Sequence, residues 1–284
     1  MNGFAVCRLF VALSVALLTA TASLADSKKP RVASLNLCAD TLLMQYADPE
    51  QIASITWLST DPGLSPYAAQ AQLFHHNRGH AEDIIKLSAD LVLTGPSTSP
   101  TTLALLKRLG VATLYIADSR SIAEIYTNVH SLTHAIGQTQ RGERSLQLMT
   151  ESLTRDLRRA ASKPVALWPN AAFIQPNGLT VGSGSLSDEL LNHAGFHNAA
   201  TSIGLQTYQQ FPLESLLRVN PDLLIVPKRQ RHYPALAQQL LEHPAFSNVA
   251  HFYEIAPAEL ICGTTRVAKV VSALAEKRDQ IGRL

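Results

Sequence analysis

The sequence predicts an α/β protein built as two α/β lobes with mostly parallel sheets, joined by one long α-helix. Three observations carry this. A phrase of twelve residues occurs twice without a gap: EDIIKLSADLVL starts at Glu82 and ESLLRVNPDLLI at Glu214. Glu82 falls on Glu214, Lys86 on Arg218 and Asp90 on Asp222, and the aliphatic positions fall on aliphatic positions. Two copies so far apart indicate two similar lobes, whereas a solenoid repeats many times at a short period. Short apolar runs also alternate with helical patterns in both halves, the order that builds parallel sheets. Between the halves lies a helical stretch over 121–161 with no Gly/Ser-rich linker.

Taken in order, the chain opens with MNGFAVCR, which carries one positive charge, followed by LFVALSVALLTA, an apolar run too short to span a bilayer comfortably. Ser23 and Ala25 supply the small residues of a cleavage site, so residues 1–25 read as a secretory signal peptide cut after Ala25. The first lobe is expected over 26–136, with strands in RVASL (31–35), IASIT (52–56), DLVLT (90–94) and ATLYI (112–116). Between the last two, Ser99 is placed to cap a helix, Pro100 to open it and Gly110 to stop it.

The connecting helix is expected over 137–162, broken from what precedes it near Gly137. Leu146, Met149, Leu153, Leu157 and Ala160 recur at three- and four-residue steps and make one apolar stripe. The second lobe, 163–284, repeats the grammar, with strands in PVALW (164–168), DLLIV (222–226) and HFYEI (251–255). Ser185 and Asp188 mark the start of a helix that Gly195 ends. In both copies of the repeat the glutamate sits in the first turn of a helix, where the dipole favours a carboxylate. The aliphatic pair after it is expected to face the sheet, and DLVL or DLLI is the next buried strand.

Composition excludes some functions. The chain has 284 residues, 46% apolar and 16% charged, with a formal charge of +2, an ordinary globular balance. No basic block points to nucleic acid. There is no dinucleotide fingerprint and no phosphate-binding loop. VGSGSLSD does not match a nucleophile elbow and reads as a turn at PNG leading to a helix start. His75, His76 and His80 lie close together, but their spacing is not a standard zinc pattern. Asp40 reads as a helix-start carboxylate rather than a catalytic acid. No catalytic residue, metal site or cofactor is expected.

The stretches RVASLNLCADTLL, EDIIKLSADLVLTG, LKRLGVATLYI and ESLLRVNPDLLIV, in this order and spacing, resemble the periplasmic substrate-binding proteins of ABC importers for iron–siderophore complexes and vitamin B12. The resemblance covers essentially all of 30–280 and implies a fold of two lobes bridged by one helix, with the ligand in the cleft between them. It implies a monomer in the periplasm that hands a small metal chelate to a membrane permease with its ATPase, and no enzymatic activity. It further implies that Glu82 and Glu214 dock onto the permease.

Cleft walls in open α/β sheets form beyond the carboxyl ends of strands. Trp57, Tyr67, Arg78, Trp168, Tyr208, Arg229 and Arg231 are therefore expected to bind the ligand, with Asn36, His80 and Phe211 near them. Aromatic walls suit a large flat chelate and arginine forks suit an anionic one. The expectation is a ferric siderophore. A corrinoid, or haem held by a Tyr or His axial ligand, is the alternative within the fold. An exported metal-dependent hydrolase is the alternative of another class. Cys38 and Cys262 are expected to remain two separate thiols near the cleft, because a covalent clamp across a ligand cleft would hinder release.

Overall fold

The computed structural model describes residues 29–175, 178–228 and 251–281. The leader 1–25, part of the PNG turn, Arg229 and Arg231 lie outside the described residues. Lobe one begins with β1 (Val32–Ser34), α1 (Leu37–Tyr46) and β2 (Ile52–Thr56). It continues with α2 (Ala68–Ala71), β3 (His76–Asn77), α3 (Ala81–Ile85), β4 (Leu91–Thr94), α4 (Pro100–Arg108) and β5 (Thr113–Tyr115). The sheet order is β3-β2-β1-β4-β5, and every neighbouring pair is parallel. Strands β1 and β2 are buried throughout, which is why they read as unbroken apolar runs.

After α5 (Ile122–Ala135) the chain turns at Gly137, whose φ of +69° is open to glycine, and enters α6 (Thr139–Ala160). Leu146, Met149, Leu153 and Ala160 are buried, while Leu157 is half-exposed. A Cβ on Gly142 would come within 2.4 Å of the Thr133 hydroxyl, so this glycine lets α5 and α6 approach closely. Helix α6 packs on α5 from one lobe and on the later helices of the other, and so is shared by both.

Lobe two holds β6 (Asn170–Phe173), β7 (Leu179–Val181), α7 (Leu186–Ala194), β8 (His197–Asn198) and α8 (Ala199–Ser202). Then come β9 (Tyr208–Gln210), α9 (Leu213–Val219), β10 (Leu223–Pro227), β11 (His251–Ile255) and α10 (Val267–Ile281). A parallel sheet runs β11-β10-β6-β8, and β7 pairs with β9 antiparallel beside it. Ser185 caps α7 by accepting from the Asp188 N–H, and Gly195 ends it at φ +80°.

Two expectations are corrected here. PVALW is not a strand. Pro164 opens a single turn of 3₁₀ helix with Val165 and Leu167 exposed, and the strand is the smaller-residue run NAAF that follows. The aliphatic pair of the repeat does not face the sheet as a pair. Ile84 and Leu216 are buried, but Ile85 and Leu217 are 45% and 41% exposed, since adjacent residues on a helix lie about 100° apart.

The edge strands β3 and β8 both spell His-Asn, with the asparagine buried. Asn77 Nδ2 donates to the Ser34 carbonyl and the Ser54 hydroxyl, and Asn198 Nδ2 to the Val181 carbonyl and the Asp188 carboxylate. Each asparagine ties its short strand to the neighbouring elements, supplying the order that so few ladder bonds cannot.

Candidate functional site

The carboxyl ends of β1, β2, β3 and β4 open onto one cavity of about 460 Å³. Each wall has a local cause. Asn36 follows β1 and caps α1, accepting from the Cys38 and Ala39 N–H groups at 2.9 and 3.0 Å. Its amide also reaches the Ser97 hydroxyl at 3.3 Å. A Cβ on Gly95 would meet that amide at 2.5 Å, so only glycine lets the loop after β4 close against Asn36. Trp57 follows β2 and is 52% exposed, with the Arg78 guanidinium 6.0 Å from its ring centroid. His80, Glu82, Ser97 and Thr101 add to the polar lining.

Beside this wall the chain of lobe two returns to lobe one. The loop between β11 and α10 hydrogen-bonds across. Gln45 Nε2 donates to the Thr265 hydroxyl at 2.8 Å, the Tyr46 and Thr265 hydroxyls lie 3.1 Å apart, and the Ser119 hydroxyl reaches the Gly263 carbonyl at 3.3 Å. Arg266 in this loop is gripped by both Glu259 oxygens and lies 5.6 Å from the Tyr67 ring. Burial pushes the Tyr67 phenol up from its ordinary pKa, against the opposing pull of Arg266.

In the same place the cysteine expectation fails. Cys38 and Cys262 form a disulfide with Cα atoms 5.1 Å apart. The objection that a clamp would block the cleft does not apply. The bond lies where the loop already rests on lobe one, a junction fastened by hydrogen bonds and not a gap that has to open.

The structure thus brings Trp57, Arg78, His80 and Glu82 to one cavity, with Tyr67 at the neighbouring junction. It does not bring Trp168 there. That residue precedes β6 and stands at the amino end of the sheet, the end away from the cleft, beside Pro169, Arg159 and Asp279. Its misplacement follows directly from reading PVALW as the strand. Tyr208 is largely exposed on β9, and Phe211 is buried in the lobe-two core with Leu216 and Leu224. Glu214 is exposed in the first turn of α9. The His76 ring contacts the Ala71 carbonyl at 2.9 Å, and among the described residues no three metal-ligating side chains gather.

Sequence reasoning missed Arg266 and Glu259. Their sole signal was position, between the last strand and the last helix.

Two parallel-sheet lobes, a shared helix and a cavity at the strand ends define a two-lobed solute-binding protein. The sequence matches the family described as periplasmic binding protein over residues 32–251, and the chain belongs to that family, which implies a periplasmic location. Its members bind solutes and are not enzymes, so the hydrolase alternative falls. No curated protein matches the chain by sequence. Among solved structures it is similar to the periplasmic haem-binding protein RhuT from Roseiflexus sp. RS-1. The identity is 20%, the TM-score 0.73, and the match covers 89% of this chain and 99% of that one. The periplasmic haem-binding protein HutB of Vibrio cholerae gives 15% identity and a TM-score of 0.72, covering 87% and 98%. The periplasmic vitamin B12-binding protein BtuF of Vibrio cholerae gives 17% and 0.66, covering 90% and 99%. At these identities the likeness is one of fold.

Proposed function

We propose that the protein is the solute-binding component of an ABC importer. It holds an iron complex, a ferric siderophore, in the cleft between its lobes and delivers it to a membrane permease with its ATPase. The observation that supports this most is the cavity that lobe one presents at the carboxyl ends of four parallel strands, with a half-exposed Trp57 and the Arg78 guanidinium on one wall and only lobe-one residues lining it. Its 460 Å³ is an ordinary size for a small-molecule site. An aromatic face suits a flat chelate, and a guanidinium suits an anionic one. Glu82 and Glu214, exposed in matching helix starts, are the permease-docking pair. In this reading 1–25 is a cleaved leader, 26–136 and 163–284 are the lobes, 137–162 connects them, and the protein is a monomer.

Haem or a corrinoid is a second reading with its own support. Tyr67 offers a phenol beside the fixed Arg266 guanidinium, and tyrosine can ligate haem iron. Several proteins of similar fold are named for haem or vitamin B12.

A thermal-shift screen against ferric siderophores, haem, cobalamin and divalent metals tests both. A ligand at a hundredfold its Kd stabilises by about 2.7 kcal/mol, a clear rise in melting temperature. A rise with siderophores alone supports the first reading, and one with haem or cobalamin alone supports the second. No rise with any chelate sinks both.

A further inference from the structure

Asp40 has no part in the reading above, yet its setting is unlike that of any other carboxyl group described. It lies in the first turn of α1 and is fully buried. Its Oδ2 accepts three hydrogen bonds: from the Thr56 N–H at 3.0 Å, the Thr56 hydroxyl at 2.5 Å and the Ser59 hydroxyl at 2.7 Å. Its Oδ1 is buried with no partner. Thr56 ends β2 and Ser59 lies in the short 3₁₀ helix after it, so the three donors bracket Trp57 and Leu58, which line the cavity.

We propose that Asp40 is a positioning residue of the cleft wall, fixing the turn that carries Trp57 and letting the set of that turn follow the pH of the compartment. The inference rests on Trp57 belonging to the ligand cleft.

No charge faces Asp40 from the elements packed against it. β1 offers the Ser34 hydroxyl, β2 Thr56 and the following turn Ser59. Helix α5 presents Ile125, Val129 and Leu132 to the core, while its titratable groups lie elsewhere: His130 and His134 are exposed, Glu124 is half-buried, and the half-buried Tyr126 pairs its hydroxyl with that of Thr150. Burial therefore pushes the Asp40 pKa from 3.8 up to about 7, against the lowering pull of those hydroxyls and the Thr56 N–H.

The sign for stability follows. A pKa raised by folding gives stability that is complete below about 4 and is lost as pH rises through about 7. The hydrogen bonds run the other way, because an ionised acceptor holds its donors more strongly than a neutral one. Above neutrality the turn is clamped harder, at a cost to the fold.

The chain has two tryptophans, so Trp168→Phe leaves Trp57 as the sole indole reporter. Arg78, His80 and Glu82 line the same cavity, and His80 is its one histidine. In the Trp168→Phe protein, acrylamide quenching of Trp57 should fall as pH rises, with a midpoint near 7. The transition should vanish on adding Asp40→Asn, which keeps the shape and removes the charge, and should persist on adding His80→Gln. If Asp40→Asn does not fold by circular dichroism, Ser59→Ala serves instead. Loss of a bond to the charged form should move the midpoint upward. A flat response, a transition that survives Asp40→Asn or disappears with His80→Gln, or an unmoved midpoint in Ser59→Ala overturns the proposal. No ligand is added, so a failed titration and a failed ligand screen are separate results.

Discussion

The two copies of the repeated phrase fold alike and sit in unlike surroundings. In each a glutamate opens a short helix, α3 or α9, and one aliphatic residue of the pair is buried. The turn after the helix reaches a left-handed residue at the same register, Ser88 at φ 49° or Asn220 at φ 45°. An aspartate then accepts a backbone N–H just ahead of or at the start of the neighbouring strand, Asp90 from Arg31 at 2.8 Å and Asp222 from Asn170 at 2.7 Å. The difference lies in what precedes the phrase. Ahead of Glu82 the chain runs through β3 and Arg78 onto the cavity wall. Ahead of Glu214 it runs through β9, paired with β7. The framework is duplicated, then, while the chemistry is carried by stretches between strands, which can vary without disturbing a buried ladder.

Charge reversal offers the sharpest break in the comparison. Glu82→Lys with Glu214→Lys should abolish uptake in cells carrying the permease. Unchanged uptake would end the docking role. Taken singly, Glu82→Lys should also alter ligand affinity about fivefold, the worth of an exposed charge pair, because Glu82 lines the cavity and Glu214 does not. Equal affinities by calorimetry would restore the symmetry.

The two tryptophans come next. Trp57→Ala should weaken ligand binding by roughly 30-fold, as expected for a central aromatic anchor, and Trp168→Ala should leave it unchanged. A loss at Trp168 would return that residue to the cleft.

The aspartates differ in degree. Asp90→Ala and Asp222→Ala each leave a strand-start N–H without its partner, at about 1–2 kcal/mol in urea denaturation. Asp222→Ala should be the costlier, since Asp222 is half-buried and Asp90 exposed. The reverse order would mean that the two bonds are not equivalent.

The smallest effect is at the left-handed position. Asparagine tolerates that conformation better than serine. Ser88→Asn, which copies lobe two into lobe one, should therefore stabilise by about 0.5 kcal/mol, and Asn220→Ser should cost about the same.

Strands IASIT and HFYEI were legible to the residue because β-branched and aromatic residues crowd them. NAAF was not, since two alanines and an asparagine carry little strand signal, and the richer PVALW beside it is a surface turn. Two-residue strands such as β3 and β8 have no periodicity to read. At the site, Trp57 and Arg78 were legible because they follow strand ends, a rule of topology. Asp40 was legible as a helix-start residue only. Its hold on Thr56 and Ser59 joins positions sixteen and nineteen residues apart, which no local pattern reports. The return of the 256–266 loop to lobe one, and with it the disulfide, was hidden for the same reason.

The Cys38–Cys262 bond spans a sequence separation of 224 residues, so the helix between the lobes and all of both lobes except β1 and α10 lie inside one covalent ring. A cut in any loop of that ring opens it without releasing a fragment, and each half stays tethered to the other. Ring closure also limits how far the unfolded chain can expand, an entropic restriction worth about 5 kcal/mol for a loop of this length. The bond needs both ends of the ring on the same side of a membrane. A chain threaded across from its N-terminus can close it only after Cys262 has crossed, when all of lobe one and all of lobe two up to the loop before α10 have already arrived.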